Sequence, residues 1–100
     1  MTNLLDRMRV DGQVAIVTGA GRGVGRGIAL AMAAGGAHVV CSARTAAQID
    51  ETVELVKQAG GSAEALIADV MQEDQLAALV DATVERCGGI DIVVNNAGGS

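Results

Sequence analysis

Val14-Ala15-Ile16-Val17-Thr18-Gly19-Ala20-Gly21-Arg22-Gly23-Val24-Gly25 passes from a short apolar run into four glycines in seven residues. The apolar series then resumes at Ile28, Leu30 and Met32. A buried strand turning sharply into a helix is written this way. Such a turn leaves backbone N–H groups unobstructed at the positive end of a helix, where an anion can sit. A tight turn alone needs one or two glycines, so four of them point to phosphate binding.

Outward from that stretch, residues 1–9 form a polar lead-in with anchoring apolar side chains at Leu4, Leu5 and Met8. Asp11-Gly12 is a turn signal releasing a first strand over Gln13–Thr18. A helix from Gly23 ends at Gly35-Gly36, and a second strand covers Ala37–Ala43. Thr45 offers an N-cap for a helix reaching Ala59, with Ile49, Val53 and Val56 turned inward. Gly60-Gly61 ends it, and residues 62–68 make a weaker, alanine-rich third strand. A third helix, Gln72 to Arg86, is expected to bury Leu76, Leu79, Val80 and Thr83 or Val84 before Gly88-Gly89. Ile90–Val94 is the fourth strand, left by the loop Asn95-Asn96-Ala97-Gly98.

Strands alternating with helices, the strands nearly continuous in apolar residues, favour an α/β fold with a parallel sheet covered by helices. Right-handed crossovers put the first two helices on one face. A reversal at the third crossover gives the doubly wound strand order 3-2-1-4. Its ligand crevice lies above the first and fourth strands.

Composition narrows the function. One hundred residues make at most one domain, and half of them are apolar, which excludes disorder. There is no Phe, Trp, Tyr or Pro, so no aromatic platform exists for nucleic-acid bases. Seven basic against twelve acidic residues give a net charge of −5, which argues against nucleic acid or an acidic membrane as partner. No secretory signal opens the chain, and the most apolar stretch, Ile28–Ala43, is split by Gly35-Gly36 and His38 and is too short to span a membrane.

Cys41 and Cys87 match no metal or redox spacing and read as buried small hydrophobes in a reducing compartment, so a cytoplasmic location is expected. His38, with no nucleophile or ligand partner near it in sequence, reads as structural. Asp91 reads as a strand-start residue without chemistry, and Arg26 as a helix-surface cation.

Glycine spacing separates the phosphate-binding designs. No lysine completes a Walker loop. Gly-x-Gly-x-x-Gly also fails, because its last position falls on Val24 counted from Gly19 and on Arg26 counted from Gly21. Thr-Gly-x-x-x-Gly-x-Gly fits, through Thr18, Gly19, Gly23 and Gly25. With Asp69-Val70 and Asn95-Asn96-Ala97-Gly98 following in order, the chain from Val10 to Gly98 resembles the short-chain dehydrogenase/reductases.

That resemblance implies a Rossmann-type domain, of which residues 1–100 would be the N-terminal part. The turn Gly19–Gly25, including Gly21, Arg22, Gly23 and Val24, would pass under the adenosine ribose and pyrophosphate of a nicotinamide cofactor. Asp69 would accept from the adenine amino group, with the Val70 backbone alongside. Asn95, Asn96, Ala97 and Gly98 would hold the central sheet and touch the nicotinamide-side ribose.

The end of the second strand selects the cofactor. An acidic residue there usually holds the ribose 2′-hydroxyl of NAD. This chain has Ala43-Arg44 instead, and its nearest acids, Asp50 and Glu51, lie inside the next helix. Arg44 can donate to a 2′-phosphate through its rigid fork, and Arg22 can reach the same group. One charge-assisted hydrogen bond is worth roughly 1.5–3 kcal/mol, or about tenfold to a hundredfold in favour of NADP(H), with NAD(H) still admissible.

The family's chemistry uses a tyrosine acid/base, a lysine that lowers its pKa, and an orienting serine. This chain has no tyrosine, its one lysine is Lys57, and it stops two residues after Gly98, so no catalytic residue carries over. A sheet ending here also leaves the edge of the fourth strand open. The expectation is therefore the cofactor-binding half of an NADP(H)-dependent oxidoreductase interconverting an alcohol and a carbonyl by hydride transfer. Its partner is a small-molecule substrate, and the full-length protein is expected to form a homo-oligomer. The alternatives are a nucleotide-binding module or pseudoenzyme without turnover, and a nucleotide-free interaction domain.

Overall fold

A parallel sheet needs crossovers, and the chain supplies them in strict alternation. The computed structural model describes residues 10–96, so Leu4, Leu5, Met8, Ala97 and Gly98 lie outside the described residues. The elements are β1 (Val14–Thr18), α1 (Gly23–Ala34), β2 (His38–Ala43), α2 (Ala46–Gln58), β3 (Ser62–Ile67), α3 (Glu73–Cys87) and β4 (Ile92–Val94). All three ladders are parallel and the sheet order is β3-β2-β1-β4, the order expected if the third crossover reverses direction.

The central strands β1 and β2 are largely apolar on both sides because helices lie over both faces of the sheet there. On one face Ala15, Val17, Val39, Cys41 and Ala63 meet α1 and α2 through Ala29, Ala33, Ile49, Val53 and Val56. On the other, Ile16 and Val40 meet α3 through Leu79, beside Ala68. Burial pushes the Cys41 thiol pKa up to about 11, so it packs as a small hydrophobe.

Three expectations need correction. On α3 Leu79 and Thr83 are buried, Thr83 being the one of the pair Thr83 or Val84 that turns inward, while Val80 is only half-buried and Leu76 is 40% exposed. No second helix lies beside α3 among the described residues, so a single row of its side chains reaches the sheet. Thr45 holds the N-cap position of α2 without a side-chain cap hydrogen bond. Asp91 precedes β4 rather than starting it, and it clamps the strand: its carboxylate accepts from the Val14 N–H (2.8 Å) and its own N–H donates to the Val14 carbonyl (2.9 Å).

His38 and Cys87 do have partners. Register places His38 beside Ser62 and Val40 beside Glu64, with the period of two setting His38, Ser62 and Glu64 on the α3 face. His38 Nε2 lies 2.7 Å from Glu64 Oε2, and Arg86 Nε lies 2.8 Å from Glu64 Oε1. Burial raises the Glu64 pKa, but the His38 hydrogen bond and the charges of Arg86 and His38 outweigh it and hold the carboxyl below its usual range. Burial and the neighbouring Glu64 push the Cys87 thiol up.

Candidate functional site

The loops that leave the four strands at their carboxyl ends surround a cleft of about 570 Å³. Thr18 to Val24 form one wall, Ser42 to Gln48 a second, and Ala68 to Met71 a third, with Asn96 beside the β1–β4 junction. This is the point where strand order reverses, and where open α/β sheets place their ligands.

The glycine turn has its shape from backbone that other residues rarely adopt. Gly19 and Gly23 have φ of +63° and +56°. Gly25 plays a different part from its neighbours: a Cβ there would overlap the Gly19 carbonyl oxygen and lie 2.8 Å from Asn96 Nδ2. It is buried beneath the turn, and its bare backbone lets α1 start directly under Gly19.

Two helices begin at this cleft with their first amides uncapped by side chains. The α1 cap residue is Arg22 and the α2 cap residue is Thr45, and neither helix has an acid in its first turn. Helix N-termini carry partial positive charge, and these two retain it. Helix α3, by contrast, begins with Glu73 and Asp74.

Thr18 ties the turn to the loop after β4. Its Oγ1 accepts from the Asn96 N–H (2.9 Å) and donates to Asn95 Oδ1 (3.0 Å), with the Val94 carbonyl at 3.4 Å. Asn96 Nδ2 donates to the Gly19 carbonyl at 3.4 Å. Asn96 therefore lines the cleft, while Asn95 stands behind it as a brace.

Arg22 and Arg44 line the cleft from the ends of β1 and β2. Asp69 and Val70 line it from β3. Asp69 is fixed locally: its Oδ1 accepts from the Met71 N–H (3.1 Å) and its N–H donates to Gln75 Oε1 (2.7 Å).

Arg26, expected on the helix surface, is a tie-bar. Its side chain is only 23% exposed. Nη2 donates to the Gly21 carbonyl (2.6 Å) and the Gln48 carbonyl (3.2 Å), Nε to Thr52 Oγ1 (2.9 Å), and Nη1 to Glu51 Oε1 (3.1 Å). Buried Thr52 passes the chain on, donating to the Ala20 carbonyl at 2.8 Å. One guanidinium thus joins the glycine turn to α2. The sequence signal that could have found it is a cation placed to follow the glycine series on α1, within reach of carbonyls its own turn leaves open.

Ser42 was also missed. Its hydroxyl is fully buried at the cleft and finds no hydrogen-bond partner among the described residues, which leaves it available to a bound molecule. Bare turn amides, two positive helix ends, two arginines and an orphaned hydroxyl together fit an elongated phosphorylated cofactor.

A family model described as short chain dehydrogenase matches residues 13–100. The chain is 45% identical over 94 residues to 7α-hydroxysteroid dehydrogenase of Escherichia coli (strain K12), covering 94% of this chain and 37% of that protein. It is 44% identical over 95 residues to versicolorin reductase 1 of Dothistroma septosporum, covering 94% of this chain and 36% of that one. The crystal structure of a hydroxysteroid dehydrogenase from Escherichia coli matches with a TM-score of 0.90 at 45% identity, over 94% of this chain and 40% of that one. A 7α-hydroxysteroid dehydrogenase complexed with NADH and 7-oxo glycochenodeoxycholic acid also gives 0.90, at 43% identity, over 99% of this chain and 38% of that one. The chain spans little more than a third of the length of these relatives.

Proposed function

The chain belongs to the short chain dehydrogenase family, and from that premise we propose that it is the cofactor-binding part of an NADP(H)-dependent oxidoreductase interconverting an alcohol and a carbonyl. The bound cofactor supplies or accepts the hydride. The chain's own residues bind and orient it. The Gly19–Gly25 turn and the N-terminus of α1 receive the pyrophosphate through backbone amides. Asp69 and Val70 meet the adenine. Asn96, leading into Ala97 and Gly98, meets the ribose on the nicotinamide side, and Asn95 braces it from behind through Thr18.

The observation that carries the NADP(H) preference is the pairing of Arg22 and Arg44 on one cleft, with Ala43 where a carboxylate would repel a 2′-phosphate. NAD(H) is the weaker ligand in this reading, although one relative was solved with NADH. The chain lacks tyrosine and its one lysine, Lys57, is exposed on α2, so proton transfer falls to residues beyond these 100. We place the full-length protein in the cytoplasm as a homo-oligomer acting on a small molecule. Among the described residues no helix is long and apolar enough to cross a membrane.

Arg44→Asp in the full-length protein tests the assignment. The ratio of NADPH to NADH dissociation constants should move toward NADH by about tenfold to a hundredfold, the worth of one charge-assisted bond. An unchanged ratio removes Arg44 from the account. Turnover of alcohol or ketone substrates with either cofactor separates an enzyme from a module that only binds.

A further inference from the structure

A second cluster lies at the opposite end of the sheet from the cleft, where β2 and β3 begin and α3 ends. We propose that His38, Glu64 and Cys87 form a three-ligand site for a divalent transition metal of the zinc type. The three residues offer an imidazole nitrogen, a carboxylate oxygen and a thiol sulfur from three separate elements. All three are half-buried, and their donor atoms lie within 4.8 Å of one another.

The two distances from Glu64 lie close to those around one small ion, and the third, from imidazole to thiol, is within 4.8 Å. With bonds of about 2.0–2.3 Å, neighbouring ligand atoms of a tetrahedral zinc site are roughly 3.3–3.6 Å apart. Cys87 Sγ is 3.7 Å from Glu64 Oε2, already close to such an edge. His38 Nε2 is 2.7 Å from the same oxygen and opens by roughly 0.6–0.9 Å to admit the ion. Mixed nitrogen, oxygen and sulfur donors favour zinc-type ions over magnesium or calcium, which take oxygen alone.

The groups behind the ligands are also in place. His38 Nδ1 is 2.5 Å from Ser62 Oγ, which fixes the ring and turns Nε2 toward Glu64 and Cys87. Arg86 holds Glu64 Oε1 at 2.8 Å, leaving Oε2 to face the imidazole and the thiol. Ligating histidines and carboxylates are ordinarily steadied by partners of this kind. On binding, the metal–sulfur bond replaces the Cys87 S–H bond and the proton goes to solvent. A fourth position remains for water. Because α3 buries only Leu79 and Thr83, the ion would pin its C-terminal end to β2 and β3. The site stands independently of the cofactor reading.

Cobalt(II) is the probe. The full-length protein, stripped with a chelator and titrated with Co²⁺, should bind one equivalent, with thiolate-to-cobalt charge-transfer absorption in the near ultraviolet that Zn²⁺ abolishes. Cys87→Ser should eliminate that absorption, and Cys41→Ser, in the other cysteine, should retain it. His38→Gln and Glu64→Gln should each weaken Co²⁺ binding at least tenfold, with circular dichroism reporting the fold. Absence of the band in the folded wild-type protein overturns the proposal without any variant, as does a band that survives Cys87→Ser.

Discussion

The two faces of the sheet are built to different standards. Under α1 and α2 the interior is continuous and made of small side chains: Ala29 and Ala33 let α1 settle onto β1 and β2, and Ile49, Val53 and Val56 fill what remains. Under α3 the buried set shrinks to Ile16, Val40, Ala68 and Leu79, with polar groups around Glu64 at its margin. The cleft is hung from the better-packed side. Its glycine turn and its Arg44 wall lead directly into α1 and α2, and Arg26 joins the two. Binding geometry is held where the supporting shell is rigid.

Matched truncations probe that contrast most strongly. Ile49→Ala should cost about 4 kcal/mol, because the surrounding helices and sheet cannot collapse onto the void, whereas Leu79→Ala should cost about 2 kcal/mol. Equal losses on urea unfolding would break the comparison. A smaller effect separates two arginines. Arg26→Lys forfeits the fork that reaches Gly21, Gln48 and Thr52, and should lower stability by about 1 kcal/mol and weaken NADPH binding several-fold. Arg86→Lys, at a site 58% exposed, should change stability by less than about 0.5 kcal/mol and leave NADPH affinity unaltered. Smallest of all, Val84→Gln on the open side of α3 should stay within about 0.5 kcal/mol of wild type in a thermal melt. A larger loss would mean that this side is covered in the full-length protein.

Order along the chain was readable wherever a local pattern carried it. Glycine punctuation placed every crossover; handedness put the first two helices on one face, and the β3-β2-β1-β4 arrangement needed in addition the expected reversal at the third crossover. The glycine turn stood out because its signal is contained in a few consecutive residues, whereas Asp69 drew notice only through its place in the family resemblance. What stayed hidden depends on distant partners. Arg26 meets groups on α2 that lie 22 to 26 residues away, and nothing beside it in sequence announces them. His38, Glu64 and Cys87 converge only because β2 and β3 pair in one register and α3 returns over them. Periodicity gave the inward side of α3, with Leu79 and Thr83 buried, but not the width of the surface it meets, so Leu76 lies outside the interior expected for it.

Thr18 is bridged to Asn95 and Asn96 across 77 and 78 positions of chain. During synthesis, the glycine turn therefore leaves the ribosome, and can be tied to α2 through Arg26 and Thr52, long before the brace from beyond β4 exists. Until Asn96 emerges, Gly19 lacks its brace from the far side of the sheet, and a nascent chain halted short of that residue would carry every glycine of the turn without the closure that fixes their shape.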